Sequence, residues 1–504
     1  MEFELEQNMI IGYEPVGQAS ICQEETLEAI VPDACPDIMR IAAVYAQSFP
    51  SRSEARDGQA TVSGMIQASV LYLPETGGAM QTIPLRLPFS VRFDLPGLAA
   101  QDVLEISAKV CRADTRMLNP RKVLFRCDLM VEIAAVHKAE YAVCSGVMRA
   151  DEKKLCQKQT DLEYEWITSV PQRIFPLSEE IHLTGAQPPV LLCARASTMC
   201  TESRIVGSKL IFKGKLDVEM LLQASDGDIE RRCESIPFSQ ILDSKGAGED
   251  CTAMVRLEVV EFSCVQPMDD PFHLMMEAEV LAMGQVREQG TVQILTDLYS
   301  TTHYLLPELQ QLKLYAPCEQ VAVPQTIRDL IETGDVVRTV CDSTFLPGRM
   351  HCSKEGTDLN ITACGVVSVI YLDESRQVRC ADKNIEFSAR IPGKDTDLLH
   401  IILLPGELHT APCVGGIEVR LNVEFQAVTA RPVYVDSIKY VSMGEPRCAD
   451  ANRPSVILRQ PEPGESLWDI AKACGTTCDQ IIQANELAGE DLPSGKMLLI
   501  PGVR

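Results

Sequence analysis

The feature that most constrains this chain is a segment that recurs three times, at intervals of about 150 residues. Each copy has a glycine inside an apolar run and a Phe-Ser pair 22–25 residues later. The glycines and the matching phenylalanines are Gly64 and Phe89, Gly214 and Phe238, Gly365 and Phe387. Internal repeats dictate architecture, so the 504 residues are interpreted as three copies of one module followed by a shorter remainder.

The residues around each glycine have the pattern of β structure. Apolar residues alternate or run in short stretches between polar turns. A further pair of strands is predicted in each copy: 103–110 with 123–136, 253–264 with 273–283, and 398–404 with 416–427. Hairpins at this spacing favour antiparallel sandwiches. Short helical segments are expected near the start of two copies, at residues 36–41 and 326–331.

The repeated glycines have two interpretations. Glycine inside a strand usually marks a β-bulge or a sharp bend, and this interpretation is favoured. The alternative is a point where a ligand approaches the backbone.

Composition and charge restrict the class of partner. The chain is 46% hydrophobic and 23% charged, which is typical of folded domains. Its net charge is −25 and no basic stripe is present, so a nucleic-acid partner is not expected. The acidic excess is spread along the chain, which indicates a solvated surface; attraction to a basic partner is the alternative.

The N-terminus and the cysteines predict a cytosolic chain. Residues 1–6 are acidic where a secretory signal would be basic, and the strongest apolar stretch, 398–404, is too short to span a membrane. The twenty cysteines are scattered singly, which predicts free and mostly buried thiols. Oxidative cross-linking in a later extracellular layer is the alternative.

After a polar linker at 448–454, the pattern changes from alternating to helical. Ser466 is a good N-cap with Asp469 at the third following position, as in a capping box. Leu467, Ile470 and Ala471 form the apolar face of this helix. A second helix at 478–485 and a final strand at 497–500 complete the segment.

This segment resembles a LysM module, a βααβ unit of about fifty residues. The matching features are the Gly-Glu-Ser-Leu-Trp-x-Ile-Ala run at 464–471, Gly475-Thr476, Asn485, and the Gly-x-x-Leu-x-Ile-Pro run at 495–501. Pro461 stands where the family has an apolar strand residue. Because proline donates no ladder hydrogen bond, the first strand is expected to be shortened or shifted.

The resemblance implies a groove that binds N-acetylglucosamine glycans. Its residues here would be Gly464, Glu465, Ser466, Leu467, Trp468, Asn485, Leu487, Ala488, Gly489 and Leu492. Each also has a structural interpretation, since Ser466 can cap the first helix, Leu467 can pack in the core and Asn485 can cap the second helix. Trp468 could anchor a ligand or fill the core.

Two segments of the first copy, 30–41 (Ile-Val-Pro-Asp-Ala-Cys-Pro-Asp-Ile-Met-Arg-Ile) and 118–123 (Leu-Asn-Pro-Arg-Lys-Val), carry a second resemblance. Both are similar to the SPOCS domain of endospore-forming Firmicutes. Several such copies followed by a LysM module resemble the SipL-type spore coat morphogenetic proteins of clostridia. The resemblance implies a scaffold of the mother-cell cytosol at the forespore surface. Its LysM module would bind a polymerising forespore-surface ATPase rather than glycan, and its β modules other coat proteins.

The predicted fold class is mainly β, with three β-sandwich-like modules in tandem and a small C-terminal βααβ LysM domain. The predicted bounds are 1–160, 161–308 and 309–447 for the modules, 448–454 for the linker and 455–504 for the LysM domain.

No catalytic motif is present, and the seven histidines never fall at i, i+4. Asp226-Gly227-Asp228 begins like a calcium loop but lacks the following ligands. The sequence therefore predicts no catalytic residue, metal or cofactor, and an assembly protein rather than an enzyme. The alternatives are a wall or cortex protein that binds peptidoglycan, and an enzyme that a LysM module targets.

Overall fold

The computed structural model describes residues 3–148, 154–248, 250–392, 396–447, 456–492 and 497–501. Strands make up most of the described chain, and its two helices lie in the C-terminal segment. The prediction of a mainly β chain with a small βααβ domain is confirmed. The predicted linker at 448–454 lies outside the described residues.

Six strands form each β module. Module 1 has β1 (Leu5–Ile30), β2 (Ile38–Arg56), β3 (Gln59–Pro74), β4 (Gln81–Asp94), β5 (Val103–Asn119) and β6 (Lys122–Val147). β7 (Leu155–Ser169) follows. Module 2 has β8 (Gln172–His182), β9 (Val190–Val206), β10 (Lys209–Gln223), β11 (Ile229–Asp243), β12 (Thr252–Val265) and β13 (His273–Ser300).

β14 (His303–Tyr315) connects to module 3. This module has β15 (Glu319–Glu332), β16 (Val337–Glu355), β17 (Asp358–Asp373), β18 (Val378–Pro392), β19 (Asp397–Cys413) and β20 (Gly416–Ala430), and β21 (Pro432–Pro446) follows it. Each module repeats one topology. Its second, third and fourth strands form one antiparallel sheet, and its first, sixth and fifth strands, in that order, form the facing sheet. The core between the two sheets is apolar in every module.

The three predicted hairpins are confirmed, since β5 pairs with β6, β12 with β13 and β19 with β20. The two predicted helical segments are wrong. β2 begins at Ile38, whose backbone N–H donates to Pro120 at 2.9 Å. Residues 326–331 lie within β15, which pairs with β20 along its whole length. In both places strand pairing outweighs local helix preference.

The repeated glycines lie at bulges, as the favoured interpretation predicts. Gly64 of β3 pairs with Phe89 on one side and, on the other, stands next to a register shift in β2. A Cβ at this position would lie 2.2 Å from the Phe49 carbonyl oxygen. Gly214 likewise pairs with Phe238, whose ring a Cβ would meet at 2.6 Å. At Gly365 the ring of Phe345 takes this position, at 2.3 Å from such a Cβ. Any side chain would therefore displace a packed phenylalanine or the neighbouring backbone.

Three ribbons of paired strands, two of them linked through the residue pair Tyr13 and Ile167, join the modules into one body. The N-terminal half of β1 pairs with the end of β6, β7 pairs with the end of β13, and β14 pairs with β21. Their inner residues share two apolar clusters that draw on all three ribbons. Residues 160 and 308, where the sequence analysis divides the modules, lie within β7 and β14; these boundaries stay predictions.

The second strands of the three modules meet at a buried polar cluster made of Tyr45, Arg195 and Asp342. Each of these pairs with the residue five positions after its module's repeated glycine, so the three occupy equivalent positions. The Tyr45 hydroxyl donates to Asp342 Oδ2 at 2.6 Å, and Arg195 Nη2 lies 3.1 Å from the same oxygen. The Arg195 guanidinium also lies 4.5 Å from the centre of the Tyr45 ring. The modules therefore surround one axis through equivalent strands.

Replacing Asp342 by Ala is expected to destabilise the whole β body. The Asp342 side chain is 1% exposed, and its loss removes both the acceptor of Tyr45 and one of two carboxylates beside the buried Arg195, which keeps Glu219 at 2.8 Å. Removing one partner of a buried ion pair costs about 3–5 kcal/mol, and the remaining Glu219 places this loss at the lower end. Tyr45→Phe removes one hydrogen bond to the carboxylate and keeps the ion pair, so it should cost less, about 1.5–3 kcal/mol. Urea unfolding measures both, and equal losses from the two variants would contradict the proposed importance of the ion pair.

A second polar layer joins the fifth strands of the modules. Glu105 of β5 lies 3.8 Å from Arg256 of β12, and Gln285 donates to Glu105 at 2.6 Å. His400 of β19 faces this layer, and within the described chain its buried Nε2 has no hydrogen-bond partner. Burial, and then the charges of Arg256, Arg287 and Lys109, lower the pKa of His400 to about 3.

This pKa predicts an acid-dependent loss of stability. Because the folded chain binds the His400 proton less readily than the unfolded chain, the contribution of His400 is fully present above pH 6.5 and is lost as pH falls toward 3. One proton corresponds to about 1.4 kcal/mol per pH unit. In urea unfolding at about pH 6 and pH 4.5, His400→Leu should reduce the pH slope by about this amount. His351→Leu, at an exposed position, is the control; identical slopes for His400→Leu and the parent would refute the assignment.

Candidate functional site: the LysM module

The C-terminal segment folds in the predicted order. β22 (Val456–Arg459) and β23 (Leu498–Pro501) pair antiparallel, and α1 (Leu467–Cys474) and α2 (Cys478–Asn485) lie between them in the chain. The predicted bounds of α2 are confirmed, and the final strand is displaced by one residue from the prediction. β22 ends two residues before Pro461, so the first strand is short, as the proline predicts.

Capping boxes fix the start of both helices. The Ser466 hydroxyl accepts from the Asp469 N–H at 3.2 Å, and the Asp469 carboxylate accepts from the Ser466 N–H at 3.0 Å. This confirms the predicted capping box, and the hydrogen bonds from Ser466 lower the pKa of Asp469. Thr477 and Gln480 make the same arrangement at α2, which the sequence analysis missed although Thr-x-x-Gln is its usual signature.

The LysM core explains several of the predicted groove residues. Leu467 is buried together with Ile470, Ala471 and Ile481. Asn485 has a structural role: its side-chain amide donates to Ile481 at 2.8 Å and to Leu499 at 2.6 Å, and its oxygen accepts from the Leu499 N–H at 2.7 Å. It therefore fastens α2 to β23, and the left-handed residue that ends α2 is Glu486.

The remaining groove residues form a rim of small and partly buried side chains. Gly464, Ala488 and Gly489 are exposed, whereas Leu487 and Leu492 are partly buried. The Glu465 carboxylate contacts Arg459 and accepts from the Glu462 N–H at 3.1 Å, which shapes the turn before α1. Binding of a ligand at this rim stays a prediction. Residues 493–496, including the Gly495 of the motif, lie outside the described residues.

Trp468 faces the β body. Its Nε1–H donates to Asp297 Oδ2 of β13 at 2.8 Å. Lys472 Nζ lies 2.6 Å and 2.8 Å from the two oxygens of the same carboxylate. The Tyr299 ring packs edge-on against the Trp468 ring, with 4.9 Å between the ring centres. The Tyr299 hydroxyl donates to the Thr476 carbonyl at 2.8 Å. We call these contacts of Asp297 and Tyr299 the LysM dock.

A further contact comes from the chain just before the undescribed linker. The Arg447 side chain donates to the Lys472 carbonyl at 3.1 Å and stacks 5.0 Å from the centre of the Tyr304 ring. At Gly475, which ends α1 with φ +62, a Cβ would lie 2.8 Å from Arg447 Nη1. Glycine therefore allows both the left-handed backbone that ends α1 and the close approach of Arg447.

The described cysteine thiols are free, and those with a shifted pKa are weakly reactive. All nineteen cysteines of the described chain are free thiols. Burial raises the pKa of Cys193 to about 12 and that of Cys478 to about 11, which disfavours the reactive thiolate. Among the described residues, no group of three or more His, Cys, Asp or Glu is placed to hold a metal ion. None of the described helices has the length and apolar character needed to cross a membrane.

Two family models match the chain. The LysM domain model matches residues 462–501, and the SipL, SPOCS domain model matches residues 190–266. The chain contains a SipL SPOCS domain and a C-terminal LysM domain. The resemblance to SipL-type proteins is thereby confirmed. No curated protein and no solved structure gave a significant match.

The SPOCS match falls on strands β9 to β12 of module 2, whereas the sequence resemblance was sharpest in module 1. The structure gives a local reason for the distinctive residues of module 1. Arg121 donates to the carbonyls of Cys35 at 2.7 Å and Val31 at 2.9 Å, and it lies 3.1 Å from Asp37. The Asn-Pro-Arg-Lys turn therefore holds the loop between β1 and β2.

Asp297→Ala is expected to release the LysM module from the β body. The substitution removes hydrogen bonds from Trp468 and Lys472, and charged hydrogen bonds contribute about 1.5–3 kcal/mol each. In a Trp166→Phe background, Trp468 is the sole remaining tryptophan, and its fluorescence should shift to the red as water reaches it. Asp479→Ala, which removes an exposed carboxylate from α2, is the matched control; an unshifted spectrum for Asp297→Ala would disprove the dock.

Proposed function

We propose that this chain is a non-enzymatic adaptor in endospore coat assembly. Its LysM module binds a morphogenetic ATPase at the forespore surface, and its β modules bind other coat proteins. The SPOCS and LysM domains make it a sporulation-related protein with a module of a wall-binding type. The proposed location is the mother-cell cytosol at the forespore surface.

The observation that carries this proposal is the fixed attachment of the LysM module. Asp297 and Tyr299 hold one side of α1 against β13, while Gly464, Ala488 and Gly489 remain exposed. A ligand bound at this rim is therefore held in a defined orientation relative to all three β modules. A fixed geometry between two binding regions is what an adaptor requires.

The polar clusters of the body also favour an adaptor over an enzyme. Tyr45, Arg195 and Asp342 are bonded to one another between modules, and they hold the modules together. Burial raises the pKa of cysteines such as Cys193 and Cys478, so these thiols are poor nucleophiles at neutral pH.

A second candidate function is binding of peptidoglycan. The rim residues Ala488 and Gly489 are small, which would let a sugar approach the backbone, and the LysM family model favours this ligand class. In that case the protein would be a wall or cortex component that binds N-acetylglucosamine glycan.

A pull-down with the full-length chain tests the two functions side by side. Ala488→Arg and Gly489→Arg place long charged side chains on the rim. Both positions are exposed, and a Cβ at Gly489 would meet no atom within 4 Å, so the fold should be retained. Ala473→Arg, an exposed position on α1 outside the rim, is the control. The baits are incubated with lysate of sporulating cells and, separately, with purified peptidoglycan.

The adaptor function predicts recovery of a forespore-surface ATPase by the parent chain and the control, and a loss of about tenfold or more for the rim variants. Retention on peptidoglycan, abolished by the same rim variants and without a recovered ATPase, would establish the second function instead. Recovery of the ATPase that is indifferent to the rim variants would refute the groove as its binding site.

A further inference from the structure

The three modules present equivalent sheet faces to solvent, and these faces differ in charge. The sheet of first, sixth and fifth strands has one face on the core and one outside. Arg126, Glu279 and Arg420 occupy the same place on the outer face. In the sixth strands, pairing with the fifth strand begins at Lys122, Met275 and Gly416. Arg126, Glu279 and Arg420 each come four residues later. The chain thus provides its own comparison of one position in three modules.

In module 1 the outer face is balanced. Arg126 pairs in register with Asp114 of β5, and its guanidinium lies 3.4 Å from Glu24 of β1. Lys122 and Glu28 form a further ion pair on the same sheet. Opposite charges alternate across the strands, which is the favourable arrangement.

In module 2 the equivalent face is acidic. Glu279 of β13 lies directly opposite Glu261 of β12, and Glu277 is the next exposed residue of β13 toward the hairpin. Glu180 of β8 is exposed at the same end. Within the described chain, Glu261, Glu277 and Glu279 have no Lys or Arg at ion-pair distance. We call this the glutamate face.

In module 3 the equivalent row is cationic. Arg420 of β20 lies directly between Arg328 of β15 and His409 of β19, and both arginines are exposed. Glu407 pairs with His409 at 3.0 Å, and Glu418 borders the row. Neither arginine has a carboxylate at ion-pair distance in the part of the chain that is described. We call this the arginine row.

Like charges directly opposite one another destabilise a sheet. The folded chain therefore carries two unfavourable rows of opposite sign, and both are exposed, so they do not meet within one molecule. We propose that the glutamate face of one copy binds the arginine row of a second copy of this chain. The contact relieves both repulsions at once, and it gives a chain of net charge −25 a specific attraction that overcomes its general self-repulsion.

Both faces also carry apolar side chains that can pack in such a contact. Met275 is 43% exposed and its cross-strand neighbour Val265 is 57% exposed, beside the glutamates. In module 3, Leu330 is partly buried and Ala411 is exposed; both pair with Glu418, next to the arginine row. Apolar area of this kind supplies affinity, while the charged rows select the register.

The symmetry of the contact decides what kind of assembly results. The two surfaces belong to different modules, so a bound pair keeps the glutamate face of one copy and the arginine row of the other free. Such heterologous contacts continue from copy to copy as rings or filaments rather than stopping at a dimer. This property goes beyond the proposed adaptor function and holds whichever ligand the LysM module binds.

Sedimentation velocity of the full chain tests the proposal. The parent should form species larger than a dimer at about 50 mM salt and dissociate at about 500 mM, because salt screens the charged rows. The pair of substitutions Glu261→Arg with Glu279→Arg should weaken association about tenfold or more, and so should Arg328→Glu with Arg420→Glu.

A mixture of these two variants gives the decisive comparison. In the first variant both surfaces are basic, and in the second both are acidic, so each alone should remain monomeric. Mixed one to one, they should associate again as alternating copies. Asp114→Arg with Arg126→Asp exchanges the charges of the balanced module 1 face and should leave association unchanged.

Circular dichroism and thermal melting check that each variant is folded. A chain that stays monomeric at low salt would overturn the proposal. So would folded variants that associate as the parent does, or a mixture that stays monomeric while the parent assembles.

Discussion

The body of this protein depends on one desolvated carboxylate. Asp342 accepts from Tyr45 and lies against Arg195, so a single side chain of module 3 binds both other modules at equivalent strands. A buried ion pair contributes little net stability by itself, but an incomplete one is costly. The cluster therefore favours the arrangement in which all three modules are present. The apolar residues around it, such as Leu71, Leu192 and Ile370, give the same junction its buried area.

Much of the fold follows from local patterns, and the exceptions have physical causes. The repeat, the hairpins and the LysM helices are encoded by alternation, turn residues and caps within about thirty residues of one another. Residues 326–331 were misassigned because one side of β15, with Val321, Val323 and Ile327, has a period of two that a six-residue window does not reveal. The ribbons could not be predicted, since β7 pairs with a strand more than a hundred residues away.

In the candidate site, too, local motifs could be predicted from the sequence and long-range contacts could not. Ser466, Leu467 and Asn485 belong to a compact motif, and the motif was enough to locate them. The motif does not say which sides of the module are free. Trp468 contacts Asp297, and nothing around Asp297 in the sequence marks it as a partner for a tryptophan 171 residues later. Only the assembled structure separates the docked side of the module from the exposed rim.

The long-range strand pairing has a consequence for synthesis. Strand β1 pairs with β6 and β7 pairs with the end of β13, so an emerging chain cannot complete a ribbon until the whole segment between its two strands has left the ribosome. Non-local pairing of this kind folds slowly and leaves strand edges unpaired in the meantime. The LysM module emerges after the β body, and its dock at Asp297 and Tyr299 exists only after β13 has paired with β7. The LysM module can therefore attach only to a β body that has already folded, and the orientation of its binding rim is set only in such molecules.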